Sequence, residues 1–176
     1  MAIRTIVTPP NETLRRKARA VSEFGDDLQS LIDDMIETMR DAPGSGLAAP
    51  QVDVPLRVFV AEFGPEPDVD EDGEIIHEYP RKLYTMVNPE ITRRSVELVT
   101  ATEGCLSLPD LLADVERAEG ITVSYQTPRG QSAKIKAEGW LARIFQHEID
   151  HLDGVLMTDR AEKLYKVEPE LEGEGE

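Results

Sequence analysis

The stretch that decides the fold runs from Gln146 to Gly154 and reads Gln-His-Glu-Ile-Asp-His-Leu-Asp-Gly. His147 and His151 lie four residues apart in it, with Glu148 between them. On an α-helix, positions four apart share one face, about one turn from each other, so both imidazoles can bind one metal ion. Glu148 points just off that axis, where a carboxylate can take a proton from a water molecule at the metal without being a ligand.

The residues around this motif predict a helix that is buried on most of its faces. Six apolar residues recur there: Trp140, Leu141, Ile144, Phe145, Ile149 and Leu152. A helix that is apolar nearly all round is normally enclosed by a core. Asp153 and Gly154 then supply a polar stop and the glycine that commonly follows a helix C-terminus.

The motif is short, and the alternative interpretation is a pair of core histidines with a surface Glu148. A metal site of this kind needs a third protein ligand. The chain has one other histidine, His77, in a segment rich in Pro, Asp and Glu where a solvated side chain is expected. The residues alone leave the third ligand open, and its identity decides the function.

Composition restricts the class of protein. The chain has 176 residues, 40% hydrophobic and 31% charged, which is typical of one soluble domain with its own core. The net charge of −16 argues against a general nucleic-acid binder, because phosphate contacts require clustered Lys and Arg. No apolar run approaches a membrane span and the first residues show no targeting pattern, so a cytoplasmic location is expected. A lone cysteine, Cys105, excludes an intramolecular disulfide and is most often a small buried apolar residue.

The rest of the sequence predicts an α+β fold. Apolar residues at i, i+3, i+4 and i+7 indicate a helix from Asp26 to Arg40. Short strands are predicted at 56–61, 83–87, 95–101, 113–117, 121–125 and 132–137. The second of these should end at Asn88-Pro89, and a turn at 127–130 joins the last two. The strands should be mostly antiparallel and wrapped around the buried helix that carries the histidines.

Three further segments bear on domain organisation. Residues 1–160 are expected to form a single domain, with an exposed or poorly ordered acidic loop at about 64–80. Residues 161–176 form a charged C-terminal tail that should fray or make a short exposed helix. Residues 44–51 combine glycines, small apolar residues and the amide of Gln51. Taken alone, they slightly favour an ordinary tight loop with a surface Gln51.

Three separated stretches together resemble the peptide deformylase family. Residues 44–51 match a GxGLAAxQ pattern, 103–107 match EGCLS, and 146–154 match QHExDHLxG. The resemblance covers the chain up to about Asp159. It implies a metal-dependent hydrolase that removes the formyl group from the N-terminal formyl-methionine of newly made polypeptides and releases formate.

The resemblance also implies a role for individual residues. It assigns three metal ligands: Cys105, His147 and His151. Glu148 would be the general acid and base, and Gln51 and the backbone N–H of Leu106 would hydrogen-bond the developing oxyanion. The backbone of Gly46, next to Ser45, would pair with the substrate peptide. Glu103 and Gly104 would shape the same cleft.

Position on the helix suggests a pocket for the methionine side chain. Trp140, Arg143 and Ile144 lie seven, four and three residues before His147, on or near its face of the helix. They are candidates to line that pocket. Plain core packing is an almost equally good interpretation of Trp140 and Ile144.

The resemblance further implies one divalent metal ion per chain. Fe(II) is expected, and zinc and nickel forms are known in the family. The substrates would be N-formylmethionyl nascent peptides, with transient ribosome contact as a further option and no direct nucleic-acid or membrane binding. Two features depart from the family pattern: Leu112 stands where many members have an Arg, and the acidic tail stands where some have a basic helix. The tail predicts weak or differently placed ribosome contact.

Two other functions are compatible with parts of the sequence. A zinc endopeptidase also uses HExxH, but such enzymes usually take a His or Glu downstream as their third ligand. After His151 this chain offers only Asp159 and the acidic tail, with no further histidine. A non-catalytic, metal-stabilised module is the second alternative. Such a structural site requires neither Glu148 nor Gln51.

Overall fold

In the computed structural model, which describes residues 1–167, three helices and three antiparallel sheets account for most of the chain. The helices are α1 (Asp26–Asp41), α2 (Gly139–Leu152) and the short α3 (Met157–Arg160), with single 3₁₀ turns at Glu12–Arg15 and Ala49–Val52. The strands are β1 (Gly46–Ala48), β2 (Val58–Phe63), β3 (Asp68–Val69), β4 (Ile75–His77), β5 (Lys82–Arg94), β6 (Leu98–Cys105), β7 (Leu108–Ala118), β8 (Gly120–Gln126), β9 (Ser132–Glu138) and β10 (Ala161–Lys166). The predicted α+β class with mostly antiparallel strands is confirmed.

The strands form a five-stranded sheet in the order β1-β2-β5-β8-β9, a three-stranded sheet β10-β7-β6 and a separate hairpin β3-β4. The α2 helix contacts β1 and β2 of the first sheet and β7 of the second. It is therefore enclosed by both sheets, as its apolar pattern predicts. Among the described residues, no helix has the length and apolarity needed to cross a membrane.

Strand β2 separates two apolar clusters. Phe59 and Ala61 pack in the cluster that includes α2, whereas Val58 and Val60 pack in the cluster that includes α1. Successive side chains of a strand point to opposite faces, so a strand between two helices is buried on both. Phe145 of α2 lies at the centre of the first cluster, 5.7 Å from the Phe59 ring centroid. Its full burial contributes roughly 1.5–3 kcal/mol.

Strand β5 is longer than predicted. The expectation that this strand ends at Asn88-Pro89 is wrong, because it continues to Arg94 across a register shift between Val87 and Glu90. Asn88 adopts a positive φ of 50°, a conformation in which asparagine is enriched. Its side chain bonds the backbone N–H and carbonyl of Val21 at 2.8 and 2.9 Å, and these contacts hold the bulge in place.

The acidic segment at 64–80 contains the exposed hairpin β3-β4. The carboxylate of Asp70 accepts the N–H groups of Asp72 and Glu74 at 3.0 and 2.9 Å and closes the turn between the strands. His77 is exposed and stacks edge-on against Tyr79. It is not a member of the cluster of potential metal ligands in residues 1–167.

The chain after Asp159 does not fray or form a helix through its first part, so that prediction is wrong for 161–166. These residues form β10, which pairs with β7 and places Tyr165 opposite Leu112. The alternating charges of this segment suggested a solvated tail, but an edge strand with an exposed face tolerates them equally well. Residues 168–176, the rest of the predicted tail, lie outside the described residues.

Candidate active site

Two elements from distant parts of the chain bring three metal-binding side chains together. Cys105 is the last residue of β6, and His147 and His151 lie one turn apart on α2. The Cys105 Sγ is 3.4 Å from the His151 Nε2, which is 3.2 Å from the His147 Nε2. All three potential ligand atoms lie within 4.8 Å of one another. The third potential ligand, Cys105, therefore comes from upstream of the helix.

The chemistry of this donor set fits a single transition-metal ion. One thiolate and two imidazoles are the ligands of catalytic zinc and related sites, which keep a further position for water or substrate. His151 is almost completely buried. Burial, together with the neighbouring charge of His147, lowers the pKa of His151 well below its usual value. Its imidazole is then neutral, which is the form that binds a metal.

Glu103 fixes the orientation of His147. Its Oε1 lies 2.8 Å from the His147 Nδ1, and its carboxylate accepts two bonds from Arg117 at 2.6 and 2.9 Å and one from Arg143 at 2.6 Å. Burial opposes ionisation of Glu103, but the bonds from Arg117 and His147 outweigh it and lower the pKa to about 2. Because an ionised carboxylate only accepts, the His147 Nδ1–H is the donor. The Nε2 becomes available to a metal ion when the proton that gives His147 its charge is released.

Glu148 occupies a different environment from Glu103. It is buried, yet its Oε1 has no hydrogen-bond partner among residues 1–167. Burial raises the pKa of Glu148 to about 7, with the charge of His147 acting against it. Gly46 makes room for this carboxylate, because a Cβ at position 46 would lie 2.6 Å from the Glu148 Oε2. Such a group can hold or release a proton near neutral pH.

Gln51 is buried beside the metal-binding cysteine. Its Oε1 accepts the N–H of Ala48 at 3.0 Å, and its Nε2 donates to the Ser107 Oγ at 3.1 Å and lies 3.7 Å from the Cys105 Sγ. The interpretation of 44–51 as an ordinary loop with a surface glutamine is therefore wrong. The segment forms an edge strand and a 3₁₀ turn that aim the amide into the interior.

Cys105, His147, Glu148 and Gln51 line a cleft of about 540 Å³. Its lining includes these residues predicted to act on or bind substrate: Ser45, Gly46, Gln51, Glu103, Gly104, Leu106, Trp140, Arg143, Ile144 and Glu148. Leu112 also lines it. The structure therefore brings the predicted substrate residues to the cavity that Cys105 and His147 also line.

The three predicted methionine-pocket residues differ in what they present to this cleft. Trp140 is half exposed and Ile144 is buried. The guanidinium of Arg143 is engaged elsewhere, by the Glu103 carboxylate and by the carbonyls of Val115 and Val99 at 2.8 and 2.6 Å. Arg143 can therefore border the pocket with its aliphatic stem but has its charge directed into the protein.

Comparison with known proteins identifies the family. The family model described as polypeptide deformylase matches residues 3–167. The chain belongs to the polypeptide deformylase family. The family removes the N-formyl group from newly made polypeptides, and this deformylase is accordingly a metal-binding hydrolase of protein biosynthesis.

Individual deformylases agree with this assignment. The chain is 49% identical to peptide deformylase of Thermus thermophilus over 152 residues, which is 85% of this chain and 78% of the relative. It is 46% identical to that of Symbiobacterium thermophilum over 176 residues, covering all of this chain and 75% of the relative. The crystal structure of peptide deformylase from Thermotoga maritima superposes with a TM-score of 0.80 at 38% identity, covering 93% of this chain and 100% of the other.

Sequence reasoning on this deformylase missed the partners of the site residues. Arg117 lies outside the three family motifs, yet it is buried and binds Glu103 and Asp150. A signal was available, because Arg117 follows Ala113 and Val115 at alternate positions of one strand and should face the same interior side. Ser107 gave no comparable signal.

Proposed function

We propose that Glu148 is the general acid and base of formyl-peptide hydrolysis at this site, with Gln51 and Leu106 as oxyanion donors. The observation that carries the proposal is the buried, unpartnered carboxylate oxygen of Glu148 beside Cys105, His147 and His151. A structural metal site has no use for such a group. The cleft gives a peptide access to it.

Cys105, His147 and His151 would hold the metal ion. When bound, a divalent metal supplies Lewis acidity toward the formyl oxygen and lowers the pKa of water. Fe(II) is proposed as the native metal on the resemblance to the family, and the donor set also accepts Zn(II) or Ni(II). An Fe(II)–thiolate site should lose activity in air, so metal analysis after anaerobic purification tests this assignment.

The chain's own residues would move the protons. Glu148 takes a proton from the attacking water as the water oxygen bonds to the formyl carbon. Negative charge then develops on the formyl oxygen, where one N–H of the Gln51 amide and the backbone N–H of Leu106 donate to it. A single donor of this kind is typically worth about 3 kcal/mol. Glu148 returns its proton to the leaving amine, and the carbon–nitrogen bond breaks to give formate and a free N-terminus.

The edge of the five-stranded sheet offers a place for the peptide. β1 is paired with β2 on one side only, within the sheet order of the described residues. The backbone of Gly46 can therefore pair with an extended formyl-peptide, beside Ser45 and across from Gly104. The methionine side chain would lie against Trp140 and Ile144.

We further propose a cytoplasmic enzyme that acts on nascent chains as a single catalytic domain. Because the residues at 168–176 are acidic, we expect ribosome contact to be weak and independent of them. Co-sedimentation with ribosomes at low salt tests this expectation. Tight binding that is lost when 168–176 are deleted would contradict it.

Formate release from a formyl-Met-Ala-Ser peptide tests the reaction. The full chain, loaded anaerobically with Fe(II), should release formate and leave the same peptide without its formyl group unchanged. Metal-free protein serves as the control. Cleavage inside an unformylated protein, with no formate from the peptide, would instead support the endopeptidase alternative.

A further inference from the structure

A continuous chain of charged contacts joins the protein surface to one metal-binding histidine. Arg160, at the end of α3, binds the Asp150 carboxylate through its Nε at 2.7 Å and its Nη2 at 3.1 Å. Asp150 accepts the Arg117 Nη1 at 2.8 Å. Arg117 grips Glu103 with its other two nitrogens, and Glu103 holds the Nδ1 of His147.

The inner members of this chain are shielded from water. The side chains of Arg117, Glu103 and Asp150 are 4%, 3% and 11% exposed, whereas that of Arg160 is 49% exposed. Buried charges interact strongly, and removing one partner leaves the others uncompensated. Removing the charge of Arg160 should therefore change the electrostatic interactions of the buried Asp150 and Arg117, because solvent does not screen them.

Arg160 supplies most of the hydrogen bonding to Asp150. Of the three N–H groups that reach this carboxylate from other side chains in residues 1–167, two come from Arg160 and one from Arg117. Without Arg160, the full charge of Asp150 would act on Arg117 alone. Arg117 would then shift toward Asp150 and away from Glu103, and the carboxylate that orients His147 would lose part of its support.

We propose that Arg160 is a positioning residue for the metal centre, acting on His147 through Asp150, Arg117 and Glu103. The inference rests on the proposed function only in taking His147 as a metal ligand. Outer partners of this kind fix the tautomer and the direction of a ligating imidazole, and through them the affinity for the metal.

A purely structural role is the competing explanation, because the Arg160 contact also ties α3 to α2. The chain offers a matched control in Arg15, which binds Asp159 from outside. The side chains of Arg15 and Arg160 have similar exposure, 53% and 49%, and each forms an ion pair with one aspartate, Asp159 and Asp150 respectively. Only Arg160 belongs to the charged chain that leads to His147.

Chelator-driven metal release from the zinc-loaded full chain tests the proposal. Arg160→Gln should release zinc about 5- to 10-fold faster than wild type, less than the roughly 10–100-fold typical of residues that contact a ligand directly. Arg160→Lys keeps the positive charge but cannot donate the same pair of hydrogen bonds to Asp150. Its rate of zinc release should lie between those of wild type and Arg160→Gln. Arg15→Gln should release zinc at the wild-type rate.

A further measurement separates positioning from folding and from catalysis. At a temperature well below the thermal midpoint of either metal-free variant, the absorption spectrum of the Co(II)-substituted protein should change in Arg160→Gln and not in Arg15→Gln. If Arg160→Gln does not fold, Arg160→Lys carries the same comparison. Equal zinc release and equal spectra in the Arg160 and Arg15 variants would overturn the proposal. Metal release needs no formyl substrate, so its result is independent of formate production.

Discussion

Two buried carboxylates of the site, Glu103 and Glu148, have opposite surroundings. Glu103 accepts bonds from two arginines and a histidine, and its pKa falls to about 2. Glu148 has an oxygen without a partner, and burial raises its pKa to about 7. The same residue type is therefore fixed as a permanent anion at one position and left free to exchange a proton at the other. The difference lies in the partners that each receives, since both are buried.

The largest effect on stability is expected from removing the satisfied carboxylate. Glu103→Ala leaves Arg117 and Arg143 buried without their shared anion, which typically costs about 3–5 kcal/mol. Urea unfolding of the metal-free protein measures this loss. Glu148→Ala removes no ion pair and should cost much less. Equal losses in the two variants would mean that the two carboxylates do not differ as described.

A change at Gly46 should disturb Glu148 without touching Glu103. In Gly46→Ala the new methyl group would lie 2.6 Å from the Glu148 carboxylate and force it to move. A displacement of about 1 Å from productive geometry can cost on the order of 100-fold in rate. We expect kcat/KM for formate release to fall by about that factor while metal content stays at one ion per chain. A wild-type kcat/KM in Gly46→Ala would show that catalysis does not depend on the observed position of the Glu148 carboxylate.

Acid pH should remove the contribution of the ionised Glu103 carboxylate to the free energy of unfolding. The pKa of this carboxyl drops from 4.5 to about 2 on folding, so its contribution to stability is complete above about pH 4.5 and is lost as the pH falls toward 2. The difference in free energy of unfolding between wild type and Glu103→Gln should therefore be largest above pH 5 and shrink steadily as the pH falls from about 4.5 toward 2. Denaturant titrations of the two proteins across this range measure the difference. A gap that stays constant down to pH 3 would contradict the assignment.

The smallest effect is expected at the rim of the cleft, away from both carboxylates. Leu112 lines the cleft and is about one-third exposed, and the charged residues that line it with Leu112 are buried. In Leu112→Arg we expect KM to fall a few-fold for formyl-Met peptides with an acidic second or third residue, because an exposed ion pair is worth about 0.2–1 kcal/mol. Peptides with alanine at those positions serve as the control. An equal change for both peptide sets would remove the electrostatic explanation.

The sequence predicted which residues meet at the candidate metal site, but it did not predict the buried ion pairs that hold those residues in position. The spacing of His147 and His151 placed them on one helix face, and the three family motifs pointed to Cys105 as their partner. The contacts of Glu103 with Arg117, Arg143 and His147 span 14 to 44 residues along the chain, and no local pattern encodes such pairs.

Local patterns also failed where tertiary contacts override them. Asn88-Pro89 is a good strand terminator by composition, but Asn88 accepts a bond from the Val21 N–H and donates one to the Val21 carbonyl, and these hold it in a bulge while the strand continues. The segment 161–166 has the composition of a solvated tail, and only its pairing with β7 makes it a strand.

The kcat of the metal-loaded Glu148→Gln variant tests the central claim most directly. Glutamine keeps the size of the side chain but cannot take a proton from water. If Glu148 is the general acid and base, kcat for formate release should fall by about 10²–10⁴-fold. One metal ion per chain and an undiminished thermal midpoint should accompany this fall. A fully metal-loaded variant that keeps more than about a tenth of the wild-type kcat, well outside the range expected for a lost acid–base group, would contradict the account.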